Sequence, residues 1–294
     1  MPVISETELP RLMEIEDFAP FADGLDHPEG VTVGPDGTIY AGGEAGQIYR
    51  VDLDGTWEQI ATTGGFILGL CLDGDGAIYA CDNALHSVQR IAPDGTVSTY
   101  SSGTPERPMR VPNYPVFDAA GNLYVSDSGG WKEFSGCLFR IRPGGETEVI
   151  GERLEAFPNG MALHPDGDRL YVVLSNLPGV VSLELRADWS VSEPELAVAL
   201  PRTVPDGLAF DVEGNLYIAC YTPDVIYRLT PQGELAILAD DWESVTFATP
   251  TNIAFAGPDR RTLVVASLSR WHLTKGPMPV AGAPLRYPRV MGDG

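Results

Sequence analysis

The chain has 294 residues, with 19 Lys and Arg against 41 Asp and Glu, which gives a formal net charge of −22 at pH 7. A surface this acidic repels nucleic-acid phosphates and anionic lipid headgroups, so we expect neither a nucleic-acid partner nor a membrane partner. Hydrophobic residues make up 44% of the sequence, which is ordinary for a globular protein and excludes a disordered chain.

The N-terminal residues 1–21 are acidic and have neither the cationic start nor the apolar run of a secretory signal. We therefore expect a cytoplasmic protein. The four cysteines show no Cys-x-x-Cys spacing, which predicts reduced thiols. A disulfide between Cys71 and Cys81 across one hairpin is the alternative.

A sequence motif recurs six times along the chain at a spacing of about 45 residues. In its first copy, residues 28–41, an apolar run reaches the turn Pro35-Asp36-Gly37, and a second apolar run containing Ile-Tyr leaves that turn. A third run and a fourth run follow before the next copy begins. Four antiparallel strands at this period predict an all-β fold, a six-bladed β-propeller of four-stranded antiparallel blades, with residues 1–294 forming one domain.

The sixth copy supplies only three strands before a Pro- and Gly-rich tail at residues 277–294. Residues 14–19 resemble the fourth run of the other copies and stand just before the first copy. We therefore predict that residues 14–19 close the ring as the outer strand of the sixth blade, which protects exposed strand edges.

One position in the repeat is expected to face the propeller axis, because the first strand of each blade lines the central channel. In five copies this residue precedes the turn glycine by eight positions, as Glu29 precedes Gly37. Proline commonly stands before it and glycine after it, which suits a strand start where backbones crowd together. We call these six residues the axial ring: Glu29, Leu68, Asn113, Asn159, Asp206 and Asn252.

The axial ring offers oxygen ligands only, which is typical of a site for a hard divalent cation such as Ca²⁺, with Zn²⁺, Mg²⁺ or Mn²⁺ as alternatives. We expect Glu29, Asn113, Asn159 and Asp206 to hold the metal. Asn252 is expected to lie behind these ligands or to face substrate, and Leu68 has no ligand atom. The simpler alternative is that Asn and Asp serve here as ordinary turn residues.

With Pro-Glu-Gly at 28–30, Pro-Asn-Gly at 158–160 and Pro-Asp-Gly at 205–207, the chain resembles the family of SMP-30, gluconolactonase and related six-bladed lactonases. The diisopropylfluorophosphatase-like phosphotriesterases belong to the same resemblance, which extends from about residue 25 to the tail. It implies a divalent metal on Glu29, Asn113, Asn159 and Asp206. It also implies that Asp206 acts on water or substrate during hydrolysis.

The substrate contacts are less clearly marked in the sequence. Arg110 is the nearest candidate for an arginine that contacts substrate in the family, and Tyr114 stands where the family often has Asp. The long loop at residues 126–136 is predicted to be a pocket wall with Asp127 and Trp131 facing inward, or else a solvated loop.

Two further residues complete the predicted substrate site. Asn252 belongs to the axial ring, and His272 lies in a loop expected on the metal side, as a substrate contact or proton carrier, or as a structural residue. Motifs of other hydrolases, such as Gly-x-Ser-x-Gly and His-Glu-x-x-His, are absent from the sequence.

The sequence therefore predicts a metal-dependent lactonase that opens a sugar lactone or a small hydrophobic lactone. The metal would polarise the carbonyl, and Asp206 would act as general base or as nucleophile. The alternatives are a phosphotriesterase of the same fold, and a non-catalytic propeller with a structural metal and a partner-binding face. A strictosidine-synthase-like pocket without metal is disfavoured by the oxygen ligands.

Overall fold

A computed structural model describes residues 9–188 and 190–290. These residues form six four-stranded antiparallel sheets and no α-helix, with one 3-10 helix at Ile15–Asp17. The first strand of each sheet packs against the first strands of both neighbouring sheets, which arranges the sheets around a central channel. The fold is a six-bladed β-propeller, which confirms the all-β prediction.

The first three blades follow the chain in order, and each has its first strand innermost. Blade 1 comprises β2 (Gly30–Val33), β3 (Ile39–Gly42), β4 (Gln47–Val51) and β5 (Trp57–Thr62). Blade 2 comprises β6 (Ile67–Leu72), β7 (Ile78–Asp82), β8 (Ser87–Ile91) and β9 (Val97–Ser101). Blade 3 comprises β10 (Pro112–Phe117), β11 (Leu123–Asp127), β12 (Cys137–Ile141) and β13 (Thr147–Val149).

The remaining blades repeat this order, except that blade 6 takes its outer strand from the chain start. Blade 4 comprises β14 (Pro158–Leu163), β15 (Arg169–Leu174), β16 (Gly179–Glu184) and β17 (Glu195–Ala199). Blade 5 comprises β18 (Pro205–Phe210), β19 (Leu216–Tyr221), β20 (Asp224–Leu229) and β21 (Leu235–Asp240). Blade 6 comprises β22 (Pro250–Ala256), β23 (Thr262–Ser267), β24 (Leu273–Pro277) and β1 (Ala19–Phe21).

A buried aspartate stabilises the first hairpin of several blades and explains part of the sequence repeat. In blade 3, Asp118 Oδ1 accepts hydrogen bonds from the backbone N–H groups of Ala120 and Asn122. Its Oδ2 accepts from the Asn122 side chain at 2.8 Å and from the Tyr124 hydroxyl at 3.2 Å. One carboxylate thus satisfies four donors, which explains why Asp and Tyr stand six residues apart in the repeat. In blade 5 the Tyr217 hydroxyl donates to Asp211 in the same way.

Within the described part of the chain the hydrophobic core comprises six clusters, and each cluster lies between two neighbouring blades. The apolar side chains of each blade alternate between its two faces, so every blade supplies residues to two clusters. Blade packing therefore depends on closing the circle, and the blade 6 to blade 1 cluster joins residues such as Val31 and Val264. All four cysteines are free thiols, as the sequence predicts.

The ring is closed by β1, which pairs antiparallel with β24 so that Ala19 lies opposite Lys275 and Phe21 opposite Leu273. The closing strand thus lies further along the chain than residues 14–19. The backbone of Glu14 donates to the Asp17 carboxylate at 3.1 Å, and this contact stabilises the 3-10 helix at Ile15–Asp17 in place of a strand.

The C-terminal tail crosses the channel end that is remote from the axial ring. The backbone N–H of Ala283 donates to Phe210 O at 2.9 Å, and the Tyr287 hydroxyl donates to Val33 O at 2.9 Å. An internal cavity of about 90 Å³ lies between this tail and the inner strands. No described segment forms a helix long and apolar enough to cross a lipid bilayer.

Candidate metal centre at the channel mouth

A β-bulge occurs near the start of the inner strand in blades 2 to 6 and positions the axial ring. In blade 5, Pro205 pairs with Cys220 and Leu208 pairs with Ile218, so Asp206 and Gly207 both lie within the bulge. The same irregularity follows Ile67, Pro112, Pro158 and Pro250. Bulges redirect side chains, and here they occur at the same end of every affected strand, at what we call the mouth of the channel.

Glycine follows the axial residue because neighbouring inner strands approach each other closely there. A Cβ atom on Gly160 would lie 2.2 Å from the carbonyl oxygen of Asp206, and one on Gly30 would lie 1.9 Å from that of Leu68. Only glycine fits such close backbone contacts. The crowding brings the axial residues of adjacent blades near one another.

The polar residues of the axial ring are almost completely buried, at 1–4% exposure. Glu29 and Asp206 interact electrostatically, and the Asn159 amide lies near Asp206, where it favours the charged form of that carboxylate. The buried oxygens without a hydrogen-bond partner in this ring are Asn113 Oδ1, Asn159 Oδ1, Asp206 Oδ1 and Asn252 Oδ1. Unpartnered buried oxygens are costly, on the order of 1–3 kcal/mol each, so their concentration at one place indicates a ligand.

The register of blade 6 corrects the sequence alignment by one residue. Pro250 pairs with Ser267 and Ile253 with Val265, which makes Thr251 the equivalent of Asp206 and places Asn252 at the glycine position. The sixth copy has lost the turn-glycine spacing of the other copies, so counting along the sequence misplaced Asn252. Its Nδ2 donates to Glu29 O at 3.0 Å and to Glu29 Oε2 at 3.3 Å, which holds that carboxylate in place.

The electrostatics of the ring are those of two buried carboxylates without a counter-charge. Burial, reinforced by the Asp206 charge, raises the pKa of Glu29 well above its usual value, and burial raises the pKa of Asp206. Among residues 9–188 and 190–290, no Lys, Arg or His forms an ion pair with either carboxylate. Carboxylate and amide oxygens in this combination fit a hard divalent cation.

The predicted substrate contacts in the blade 3 loop have other partners. The Asp127 carboxylate accepts hydrogen bonds from the backbone N–H groups of Arg110, Val111 and Gly129, at 2.7–3.1 Å. The Arg110 guanidinium donates to Glu133 Oε2 and Ser135 Oγ, both at 2.9 Å. Both side chains therefore hold the loop together, and their contacts with substrate stay predictions.

The aromatic candidates divide between the surface and the interior. Trp131 is 46% exposed and packs edge-to-face on Phe157, with ring centroids 4.9 Å apart. Tyr114 is buried, lies beside Gly69 and lines the internal cavity, and its burial raises the pKa of its hydroxyl. A ring nitrogen of the buried His272 lies 3.3 Å from Thr246 O, so its nearest polar partner is a loop carbonyl.

Two serines support the ring and were missed in the sequence. Ser175 Oγ donates to Pro205 O at 2.8 Å and accepts from Asn159 Nδ2 at 3.3 Å, so Asn159 Oδ1 stays without a donor. Ser126 Oγ donates to Asn159 O at 2.7 Å. Neither serine stands at a repeated spacing from the axial residues, so no sequence signal identifies them.

A second polar cluster lies at the mouth outside the ring. His27 Nδ1 lies 3.0 Å from Asp26 Oδ1 and 3.3 Å from Glu44 Oε2. The ligand atoms of the three residues lie within 4.8 Å of one another. Asp26 also accepts a hydrogen bond from Gln47 Nε2 at 2.9 Å. This cluster is more exposed than the axial ring, and its polar groups satisfy one another.

Individual relatives are similar to this chain in sequence or in fold. A gluconolactonase from Zymomonas mobilis is 26% identical over 191 residues, which cover 56% of this chain and 52% of that protein, or about half its length. A gluconolactonase structure from Xanthomonas campestris has a TM-score of 0.75 at 17% identity, covering 88% of this chain and 89% of the other. Regucalcin from Agrobacterium tumefaciens, a calcium-binding protein, has a TM-score of 0.76 at 16% identity, covering 96% and 99%.

Two family models match the sequence. The model of the strictosidine synthase-like N-terminal region matches only residues 17–51. The model of the SMP-30/gluconolactonase/LRE-like region matches residues 45–269, which is most of the chain and includes every axial residue except Glu29. The chain therefore belongs to the SMP-30/gluconolactonase/LRE-like family.

Proposed function

We propose that the protein is a calcium-dependent lactonase, which adds water to the carbonyl carbon of a cyclic ester and opens the ring. The observation that carries this proposal is the axial ring, in which two buried carboxylates lack a counter-charge and several oxygens lack a donor. The names of the gluconolactonase relatives support the reaction, and the calcium-binding relative supports the metal.

The ligands proposed for the cation are Glu29, Asn113, Asn159 and Asp206. Burying two carboxylates costs several kcal/mol per ion unless a cation compensates them, and Ca²⁺ takes about six to eight oxygen ligands. A divalent cation bound there supplies polarisation of the substrate carbonyl and acidification of a water molecule.

Asp206 is the proposed general base. Its Oδ1 has no hydrogen-bond donor, so this oxygen is available to accept a proton. Asp206 takes a proton from the attacking water while the new carbon–oxygen bond forms. The acyl–oxygen bond of the ring then breaks, and Asp206 returns the proton to the leaving alkoxide, which yields a hydroxy acid.

Neighbouring residues orient this chemistry. The Asn159 Nδ2 group donates to Ser175 Oγ, which leaves Asn159 Oδ1 without a donor and free to face the cation. Asn252 and Thr251 both donate to the Glu29 backbone carbonyl, at 3.0 and 2.7 Å, and so position the strand that carries Glu29.

Proton release from a panel of lactones, with calcium and with chelator, tests the proposal. We expect calcium-dependent hydrolysis that Asp206→Asn abolishes. The matched control is Asp26→Asn, which removes a carboxylate near the mouth but outside the ring, and it should retain turnover. Chelation that only lowers the melting temperature would assign the metal a structural role, and hydrolysis of phosphotriesters alone would assign a different reaction. Either result overturns the lactonase proposal.

A further inference from the structure

Six positions that border the axial ring are mostly apolar. We define these approach positions as the residues two places before the axial residue of each blade, with Thr251 as the axial residue of blade 6, namely His27, Phe66, Val111, Phe157, Val204 and Thr249. All six are half-buried, which is expected of side chains that border an opening. Four are apolar and none is Asp, Glu, Lys or Arg, and polar groups such as Asp26 and Glu44 lie beside His27 on blade 1.

Blade 2 carries three apolar residues between the axial position and the surface. Leu68 occupies the axial position and is 8% exposed, Phe66 occupies the approach position, and Leu85 in the turn before β8 is 45% exposed. The Asp82 carboxylate joins the two loops, because its Oδ1 accepts from Phe66 N at 3.0 Å and from Leu85 N at 2.9 Å. We call Leu68, Phe66 and Leu85 the blade 2 track.

The charge of the protein disfavours an anionic ligand. Arg110 is the cationic residue that the sequence placed near substrate, and its guanidinium is engaged by Glu133 and Ser135. The net charge of −22 repels anions. Each sugar hydroxyl taken from water needs a new hydrogen-bond partner, and the track supplies only hydrocarbon.

We propose that the preferred substrate is a lactone with an alkyl or aryl substituent, and that this substituent lies along the blade 2 track while the ester carbonyl faces the axial ring. The inference rests on the proposed lactonase function and names its substrate class. Leu68 is the feature that favours this placement, since it is the apolar member of a ring otherwise built of polar side chains.

The test compares δ-lactones that differ only in their substituent. We would measure kcat/KM by proton release, in calcium, for δ-valerolactone and its 5-alkyl derivatives from methyl to pentyl, with glucono-δ-lactone as the polyhydroxylated member. Burial of each added CH₂ should raise kcat/KM by about fourfold while the chain remains on the track. The pentyl compound should be a better substrate than glucono-δ-lactone. A flat series, or a preference for glucono-δ-lactone, would overturn the inference and leave the lactonase proposal intact.

Matched variants locate the binding surface. Leu85→Ser and Phe66→Ser should reduce the ratio of kcat/KM between the pentyl and unsubstituted lactones. Leu177→Ser is the control, because Leu177 occupies the corresponding turn of blade 4 and is 59% exposed. A ratio that falls equally in Leu177→Ser would place the substituent elsewhere and overturn the assignment to blade 2. Leu85 is exposed enough that its variant is expected to fold, which a melting curve checks.

Binding of 2-alkylcyclohexanones separates failure of the inference from failure of the proposed function. These ketones offer a similar ring carbonyl but no ester bond to hydrolyse. Affinity that rises with alkyl length and falls in Leu85→Ser supports the blade 2 track even if no lactone is hydrolysed, a result that would refute the lactonase alone. Affinity independent of alkyl length refutes the track.

Discussion

Ser175 is expected to control metal affinity through Asn159, and blade 3 provides a matched control in Ser128. Both serines are buried, and each follows the residue that pairs with the first proline of its own inner strand. Ser128 Oγ donates to Pro158 O and Ser175 Oγ donates to Pro205 O, both at 2.8 Å. Only Ser175 also accepts a hydrogen bond from the side chain of Asn159.

Replacing either serine by alanine removes the donor to a buried proline carbonyl. We therefore expect Ser128→Ala and Ser175→Ala to lower the free energy of unfolding by a similar amount, about 1–3 kcal/mol. Ser175→Ala also releases the Asn159 amide, whose oxygen is a proposed ligand. Loss of a residue that orients a ligand typically weakens metal binding by about 10–100-fold.

Urea unfolding in chelator measures the first quantity, and calcium titration calorimetry of chelator-treated protein measures the second. The expected result is equal destabilisation, with weakened calcium binding in Ser175→Ala alone. Each variant disturbs the strand start next to an axial residue, so a general loosening of the ring would affect both. Equal loss of calcium affinity in Ser128→Ala would refute the argument that the Asn159 contact orients the ligand.

Further predictions concern the ring charges, the backbone contacts and the closure. In chelator, Asp206→Asn should raise the melting temperature, because it removes one of two buried charges. A lower melting temperature would contradict the claim that the two carboxylates destabilise the metal-free protein. Burial raises the pKa values of Glu29 and Asp206, so the metal-free protein loses stability as pH rises through these raised values. Calcium should therefore increase the melting temperature more at pH 8 than at pH 5. An increase that is the same at both pH values would contradict the raised pKa values. Gly160→Ala should destabilise by at least about 1–3 kcal/mol in urea unfolding, because its Cβ would meet the Asp206 carbonyl, and a neutral effect would disprove the close approach. Deletion of residues 1–21 should cause association in size-exclusion chromatography by exposing the edge of β24, whereas a stable monomeric truncation would argue against the closure.

The repeat was sufficient to predict the blades because its information is local. Each copy contains its own apolar runs and its own turn, so the spacing of the copies predicts six four-stranded sheets. The same spacing marked Glu29, Asn159 and Asp206 as residues at equivalent positions near the starts of their inner strands. The decayed sixth copy is where this reasoning was wrong, since the pairing of Pro250 with Ser267 assigns Thr251, and not Asn252, to the axial position.

The substrate-side residues could not be predicted in the same way. Asp127 and Arg110 have side chains typical of a binding site, yet their hydrogen bonds and ion pair lie within the blade 3 loop. A loop without a repeat offers no register from which to infer what its side chains contact. The bounds of the closing strand were displaced for a related reason, because the contact between Glu14 and Asp17 competes with strand formation.

Composition and periodicity are properties of short stretches of chain, and they were enough to establish the fold class, the number of blades and most of the axial ring. The contacts that complete the molecule join residues far apart: Asn252 donates to Glu29 across 223 positions, and the Tyr287 hydroxyl reaches Val33 across 254. Such contacts form because a closed circle of blades brings the chain ends together. For this reason only the tertiary structure showed that Asn252 supports Glu29, that the C-terminal tail crosses one end of the channel, and that oxygens of the axial ring lack hydrogen-bond donors.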